Sequence, residues 1–159
     1  MIQHPIPPLF SKTSNILILG SFPSVKSREA NFFYGHKQNR FWKVISAVFN
    51  KPEPITIEEK RKFVLDNNLA LWDVIKSCEI VGSADSTINN VTPNDLTIIL
   101  NNACITKIFV NGKTAEKYYK QYIEPVLNIK ATVLPSTSPA NATYKLEKLI
   151  TEWSAKIKG

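Results

Sequence analysis

The stretch ILILGSFPSVKSREANFFYGHKQNRFW, residues 16–42, begins as an apolar run and ends among aromatic, amide and cationic side chains. The run NILILG at residues 15–20 is short, apolar and ended by glycine, which is typical of a strand buried on both faces of a parallel sheet. At the other end, the spacing of Phe41, Val44, Ile45 and Val48 predicts an amphipathic helix over residues 40–49. The stretch therefore predicts a strand, a polar loop and a helix in succession.

Three later apolar runs resemble the first and predict strands at residues 70–75, 107–112 and 131–135. Helical signals lie between and after them. Thr56 and Glu59 have the spacing of a capping box, ahead of a helix that stops near residues 67 and 68. Thr92, Pro93 and Asp95 predict a second helix start, with a cap, a proline in the first turn and an acid. The buried face of that helix is predicted to hold Leu96, Ile99, Leu100 and Ala103.

Two further helices complete the pattern, one over residues 114–123 and a last one carrying Leu146, Leu149, Ile150 and Trp153. Strands alternate with helices, and right-handed crossovers then place helices on both faces of a mostly parallel sheet. We therefore expect an α/β fold, a three-layer α/β/α sandwich around a central, mostly parallel four-stranded sheet. No repeat, low-complexity tract or long linker divides residues 1–159, so a single domain is expected.

The composition is that of a folded protein: 43% of the 159 residues are hydrophobic and 21% are charged. No apolar run approaches the roughly 18 residues of a membrane span, so we expect a cytoplasmic protein with no membrane partner. Cys78 and Cys104 stand apart and only two histidines are present, so neither a metal site nor a cofactor is expected. Oligomeric state leaves no signal in the sequence, and a monomer is expected by default.

The net charge is +7 and is unevenly distributed, because residues 1–50 hold six cations and one acid. Clustered cations favour a phosphate-bearing partner, since neutralising phosphates releases counterions. A charge of this size also simply keeps a small protein soluble, and charge alone does not decide between the two interpretations.

Ligands of parallel α/β sheets bind beyond the carboxyl ends of the strands. Three loops are predicted there: GSFPSVKS at 20–27, NGKT at 111–114 and PSTSPAN at 135–141. None is a P-loop, a G-x-G-x-x-G turn or a G-x-S-x-G nucleophile elbow. Instead they combine amides, hydroxyls, aromatic rings and cations with few acids. This mixture suits a nucleobase attached to phosphates, because rings stack on a base, amides bind its edge and hydroxyls bind phosphate.

The motifs GSFPS at 20–24, FYGHKQNRFW at 33–42, VNGK at 110–113 and LPSTSPAN at 134–141 carry a family resemblance. From about residue 15 to residue 153 the chain resembles the hypoxanthine-DNA glycosylase branch of the uracil-DNA glycosylase superfamily, which is related to the mismatch-specific uracil-DNA glycosylases. The resemblance implies a monofunctional DNA glycosylase of base excision repair. Its substrate would be double-stranded DNA containing deaminated bases, hypoxanthine first and uracil second.

Two departures from the related sequences stand out. The loop asparagine that holds the attacking water in the mismatch-specific enzymes falls on Phe22, which cannot do that work. The resemblance to the hypoxanthine branch implies that Asn39 takes over the catalytic role. Lys37 stands where related sequences usually have proline, so the loop before Asn39 has more backbone freedom.

The other site residues follow from the resemblance and from their place at the strand ends. Tyr34 is the expected platform under a flipped base, and Gly20 lets the main chain approach that base. The expected substrate-binding residues are Gly20, Ser21, Phe22, Tyr34, His36 and Asn111. The expected DNA-binding residues are Lys26, Arg28, Arg40, Ser136, Thr137 and Ser138.

Each assignment has a structural alternative. Asn39 is also in position to cap the following helix, and Asn111-Gly112 is a turn-forming pair. His36 fits a backbone-bonded loop histidine equally well, and Tyr34 an ordinary packing role. Asp73 and Asp85 are alternative general bases, with Asp73 ranked well below Asn39 because it equally fits a turn cap.

Two other functions remain open on the same residues. One is a nucleic-acid-binding module that has lost catalysis. Phe22 suggests this alternative, because it stands where the related enzymes have the loop asparagine. The other is a hydrolase of N-glycosidic bonds in free nucleotides.

Overall fold

The computed structural model describes residues 1–159. The strands in chain order are β1 (Ile2–Gln3), β2 (Ile16–Gly20), β3 (Leu69–Asp73), β4 (Ile75–Glu79), β5 (Asn89–Pro93), β6 (Lys107–Asn111) and β7 (Thr132–Leu134). The helices are α1 (Val25–Ala30), α2 (Phe41–Val48), α3 (Ile57–Asp66), α4 (Thr97–Leu100), α5 (Lys113–Tyr118), α6 (Glu124–Leu127) and α7 (Leu146–Lys158). A 3₁₀ turn at Asp85–Thr87 and a π-helical segment at Tyr119–Ile123 complete the set.

The central sheet has four parallel strands in the order β3-β2-β6-β7. The predicted strand at residues 15–20 forms β2 at its centre, where Leu17, Ile18 and Leu19 have no exposed surface. A strand that is covered on both faces has no need for alternating polar residues. The expected strand type is thus confirmed.

Helices flank this sheet and give the three-layer α/β/α sandwich expected from the sequence. Helix α2 packs on α7, and α3, α5 and α7 each pack against a strand of the sheet. The core is one cluster of 35 buried residues. No helix is both long and apolar enough to cross a membrane.

The predicted helix starts had different outcomes. The capping box is confirmed: Thr56 Oγ1 accepts from the N–H of Glu59 at 3.1 Å, and Glu59 Oε1 accepts from the N–H of Thr56 at 2.9 Å. The start at Thr92 and Pro93 is wrong, since both lie in β5 and the short helix α4 begins at Thr97. The buried side chain of Asn94 explains the difference, because it donates to the backbone carbonyls of residues 73 and 75 and anchors the chain in an extended form.

A second sheet was not predicted. Strands β1, β4 and β5 form an antiparallel three-stranded sheet in the order β1-β4-β5. The predicted strand at residues 70–75 is in fact divided between two sheets, because β3 ends at Asp73 and β4 starts at Ile75. The β4–β5 hairpin carries its connection, residues 80–88, to the carboxyl edge of the central sheet, where part of it lines the site described next.

Candidate active site

A cavity of about 590 Å³ opens at the carboxyl edge of the parallel sheet. Its walls come from the loops after β2, β6 and β7 and from the connection between β4 and β5. The predicted site residues in its lining are Gly20, Ser21, Phe22, Tyr34, His36, Asn39, Asn111, Ser136, Thr137 and Ser138. A smaller cavity of about 350 Å³ lies near the amino ends of β6 and β7, and its titratable side chains are three lysines. Amides, hydroxyls, an imidazole and carboxylates line the larger cavity, which is therefore the candidate active site.

Asn39 lies on this cavity wall directly before α2. Its Oδ1 accepts two hydrogen bonds, from the N–H of Phe41 at 3.0 Å and from the hydroxyl of Thr137 at 2.8 Å. Its Nδ2 donates to no acceptor in the protein. Asn39 therefore bonds the first N–H of α2 with its oxygen, from one residue before the N-cap position at Arg40, and keeps both N–H groups of its amide for a ligand.

Thr137 connects Asn39 to Asn111. Its side chain is fully buried, and its hydroxyl accepts from Asn111 Nδ2 at 3.0 Å while donating to Asn39. Its own N–H donates to Asn111 Oδ1 at 3.1 Å. A fully buried residue cannot contact DNA phosphate, so the expectation for Thr137 is corrected: it orients Asn39.

The side-chain amide of Asn111 is used within the protein. Besides the two bonds with Thr137, Nδ2 lies 3.4 Å from the hydroxyl oxygen of Tyr34. All of its donors and one lone pair of its oxygen are thereby engaged. This bonding makes Asn111 a support for Thr137 and Tyr34; because Asn111 also lines the cavity, its expected contact with a base edge stays a prediction.

Tyr34 stacks on Phe41, with ring centroids 3.9 Å apart and planes inclined by 12°. Burial raises the pKa of its phenol, and the nearby carboxylate of Asp73 raises it further, so Tyr34 is a neutral hydroxyl. Tyr34 has the left-handed backbone conformation in this loop, with φ 51°, whereas the neighbouring Gly35 has no positive φ. Gly35 instead leaves room for the backbone of Lys26 and Ser27.

The remaining expected substrate-binding residues line the cavity in different ways. The ring of Phe22 is 8% exposed and meets His4 edge-on at 5.9 Å. The hydroxyl of Ser21 lies 3.5 Å from Asp85 Oδ1. Nδ1 of His36 accepts from the N–H of Gln38 at 3.1 Å, which leaves the proton on Nε2, where it can be donated.

The three predicted phosphate-binding cations differ in their surroundings. Arg28 donates to the carbonyl of Gly82 at 2.7 Å and lies over the ring of Phe22 at 5.6 Å. Arg40 donates to the carbonyls of Ser138, Asn141 and Tyr144. Both arginines therefore hold loops of the cavity, and their expected contacts with phosphate stay a prediction. Lys26 is exposed in the first turn of α1, 3.6 Å from Glu29.

Ser136 and Ser138 shape the loop after β7. Oγ of Ser136 accepts from the N–H of Ser138 at 3.1 Å, and Oγ of Ser138 accepts from the N–H of Ala140 at 3.2 Å. Both are partly exposed. Their hydroxyl protons have no acceptor in the protein, so both can donate to a ligand at the mouth of the cavity.

Comparisons with known proteins agree with this geometry. The family model of the uracil DNA glycosylase superfamily matches residues 7–157. The chain belongs to this superfamily. It is 32% identical over 160 residues to a hypoxanthine DNA glycosylase of Methanosarcina acetivorans, with 98% of each chain covered. It is 30% identical over 146 residues to a hypoxanthine DNA glycosylase of Methanosarcina barkeri, with 89% of each covered.

A solved structure is similar as well. The solution NMR structure of a candidate uracil DNA glycosylase from Methanosarcina acetivorans superposes with a TM-score of 0.82 at 30% identity, covering 98% of this chain and 96% of that one. Family and fold together indicate the DNA glycosylase class within the uracil DNA glycosylase superfamily.

Sequence reasoning did not identify His4 and considered Asp73 only as a general base or a turn cap. Asp73 ends β3, lines the cavity and is bonded to the buried ring of His4 at 2.7 Å. The two residues are 69 positions apart, and no spacing signal connects them.

Asp85 lies at the cavity rim, where desolvation raises its pKa and the negative charge of Asp73 raises it further. The structure brings no three His, Cys, Asp or Glu side chains together in a way that could hold a metal ion.

Proposed function

We propose that residues 1–159 form one monofunctional glycosylase domain that removes hypoxanthine, and with it uracil, from double-stranded DNA. The observation that carries this proposal is the pair of unbonded amide N–H groups of Asn39 in a cavity of about 590 Å³, beside the stacked rings of Tyr34 and Phe41. The relatives named hypoxanthine DNA glycosylase support the choice of hypoxanthine.

The chemistry follows from the charge that develops when an N-glycosidic bond breaks. The sugar becomes an oxocarbenium-like cation and the departing base carries negative charge. Both N–H groups of the Asn39 amide are available to donate to that base or to orient the attacking water. An amide has no useful basicity, so Asn39 does not take a proton from the water.

A base in a duplex must be flipped out of the helix before it can enter this cavity. Extruding a nucleotide costs a few kcal/mol and least at a mispaired or damaged base, so weak pairing itself favours deaminated sites. The serine hydroxyls at residues 136 and 138 and the imidazole of His36 are placed around the mouth, where donors meet phosphate or sugar oxygens.

The proposal is tested with duplexes that contain one deoxyinosine or one deoxyuridine, incubated with the protein and treated with alkali. We expect strand breakage at the deoxyinosine, and breakage at the deoxyuridine at a lower rate. Binding without breakage would instead favour the non-catalytic module. Release of base from free deoxyinosine monophosphate but not from DNA would favour the nucleotide hydrolase.

Lys26 is exposed in the first turn of α1, and it gives a separate prediction about DNA affinity. If about four phosphates are engaged, log K falls against log salt with a slope near −3.6, since each contact contributes about −0.9. Lys26→Ala should flatten the slope by about 0.9, measured by fluorescence anisotropy on a lesion-containing duplex. Lys130→Ala, which removes an exposed cation at the opposite edge of the sheet, is the matched control. Equal slopes for the parent and both variants would exclude Lys26 from the contacts.

A further inference from the structure

The smaller cavity, of about 350 Å³, lies at the amino ends of β6 and β7, on the edge of the central sheet opposite the active site. The proposed chemistry of Asn39 uses none of its residues. We call it the amino-edge cavity, and its walls are largely apolar. The hydrophobic residues of its lining are Leu100, Ile105, Ile108, Phe109 and Ile129.

Exposed apolar side chains continue around the amino-edge cavity. Ile129 is 39% exposed at its wall. Ile98 of α4 is 46% exposed and Val126 of α6 is 79% exposed, and each lies close along the chain to a lining residue. Apolar residues scattered singly on a surface are ordinary, but a group of them around one recess indicates contact with another molecule.

The titratable side chains of the lining are Lys107, Lys130 and Lys156. The ion pairs of the chain lie elsewhere, so none of these lysines has a carboxylate partner. Lys156 Nζ donates to the carbonyl of Val133 at 2.8 Å, which protects the edge strand β7, and Lys107 Nζ lies 3.5 Å from the carbonyl of Ile157. Since an ammonium has three donors, each lysine keeps at least two for a ligand.

We propose that the amino-edge cavity binds an acidic segment of a partner protein that inserts one large apolar side chain. The inference goes beyond the proposed function and does not depend on it. Benzene fills an apolar cavity of about 150 Å³, so a volume of about 350 Å³ admits a phenylalanine or leucine side chain with its adjoining backbone. Carboxylates next to that residue in the partner then meet the three lysines.

The lining favours a peptide over other acidic ligands. It has no side-chain amide to bind a base edge, and its one aromatic ring, Phe109, is 2% exposed and offers no face for stacking, so nucleic acid fits poorly. A membrane surface takes up protruding apolar side chains, whereas these apolar side chains line a recess.

The position of the amino-edge cavity keeps it apart from the DNA expected at the active site. Strand β6 has five residues, which span roughly 17 Å at about 3.3 Å per residue. DNA that reaches the carboxyl edge of the sheet therefore leaves the amino edge free. A partner held there stays bound while the protein acts on DNA.

The test measures fluorescence anisotropy of a short fluorescein-labelled peptide in which acidic residues flank one phenylalanine. We expect a dissociation constant on the order of 100 µM or lower at low salt. One comparison peptide has serine in place of phenylalanine, and another has asparagine and glutamine in place of the acids. Each should bind at least about tenfold more weakly. Absence of binding by the first peptide, or equal binding by either comparison peptide, would overturn the inference.

Variants of the protein locate the peptide. Lys107→Glu combined with Lys130→Glu reverses two charges of the lining and should weaken binding at least about tenfold. Lys51→Glu combined with Lys62→Glu, at exposed lysines outside the lining, is the matched control and should keep the parental affinity within about threefold. The unfolding temperature reports whether each variant keeps the fold.

Ile129→Ser changes an exposed wall residue and tests the apolar contact without a change in charge. It should weaken the phenylalanine peptide at least about threefold. Parental affinity in this variant, or an equal loss in the two double variants, would place the peptide elsewhere and overturn the inference.

Two unlabelled competitors separate the classes of ligand. Inorganic tripolyphosphate and undamaged duplex DNA, each at the concentration at which unlabelled peptide displaces half of the label, should leave the labelled peptide bound. Displacement by tripolyphosphate would reduce the cavity to an anion site, and displacement by DNA would make it a nucleic-acid surface. Either result would overturn the inference.

Discussion

Asn39→Ala should lower the single-turnover rate of excision about a hundredfold, close to the 3 kcal/mol that is typical for loss of one preorganised donor to developing negative charge. The reason is that the amide N–H groups of Asn39 are the ones left free at the cavity wall, while its oxygen serves Phe41 and Thr137. The measurement is cleavage of a deoxyinosine duplex with enzyme in excess. DNA affinity should change little.

Alanine also removes the hydrogen bond to the first N–H of α2, so a second variant separates the two roles. Asn39→Asp keeps an oxygen for the N–H of Phe41 and for the hydroxyl of Thr137, and it places lone pairs where the amide N–H groups were. We expect Asn39→Asp to be as slow as Asn39→Ala while unfolding at the parental temperature. An aspartate variant that cuts at the parental rate would show that the amide N–H is not required.

Thr137→Val is the second variant with a large expected effect. Valine has the shape of threonine but no hydroxyl, so Asn39 Oδ1 loses a donor and Asn111 Nδ2 loses an acceptor in a fully buried place. Leaving such groups unpaired costs about 1–3 kcal/mol. The rate of excision should therefore fall about 10- to 100-fold through misorientation of Asn39. The loss should appear in kcat, with KM nearly unchanged.

Thr137→Ser is the matched control, because it keeps the hydroxyl and removes only a methyl group. We expect it to retain the parental rate within about threefold, even where loss of the buried methyl lowers the free energy of unfolding by about 1 kcal/mol. If serine and valine at residue 137 reduce kcat to the same extent, the hydroxyl does not orient Asn39 and the residue acts through packing alone.

The effects expected at Asn39 and Thr137 depend on how side chains are arranged in the cavity, and the sequence predicts this arrangement only in part. The loops that line the cavity were predicted from the rule that parallel strands end at one edge, and the structure brings all three of them together there. Within those loops the sequence does not tell an exposed hydroxyl from a buried one. Ser136, Thr137 and Ser138 look alike along the chain, yet Thr137 has no exposed surface and the other two do.

The sequence also does not show which cations are bonded within the fold. Arg28 and Arg40 count equally toward net charge with Lys26, but the planar guanidinium has several donors, and backbone carbonyls brought near by folding take them up. The carbonyl acceptors for Arg40 come from residues about one hundred positions further along the chain. A count of charges carries no information about such acceptors.

The central layer of this protein follows from local sequence patterns, because hydrophobic runs, helical spacing and the Thr56–Glu59 capping box act over a few neighbouring residues. Three features depend on contacts between distant segments: the pairing of the second sheet, the burial of Thr137 between two asparagines, and the contact of His4 with Asp73 across 69 residues. Those contacts form when distant segments are packed together and buried polar groups must find partners. A local sequence pattern cannot specify such contacts, because the residues next to His4 do not indicate which distant carboxylate it will contact.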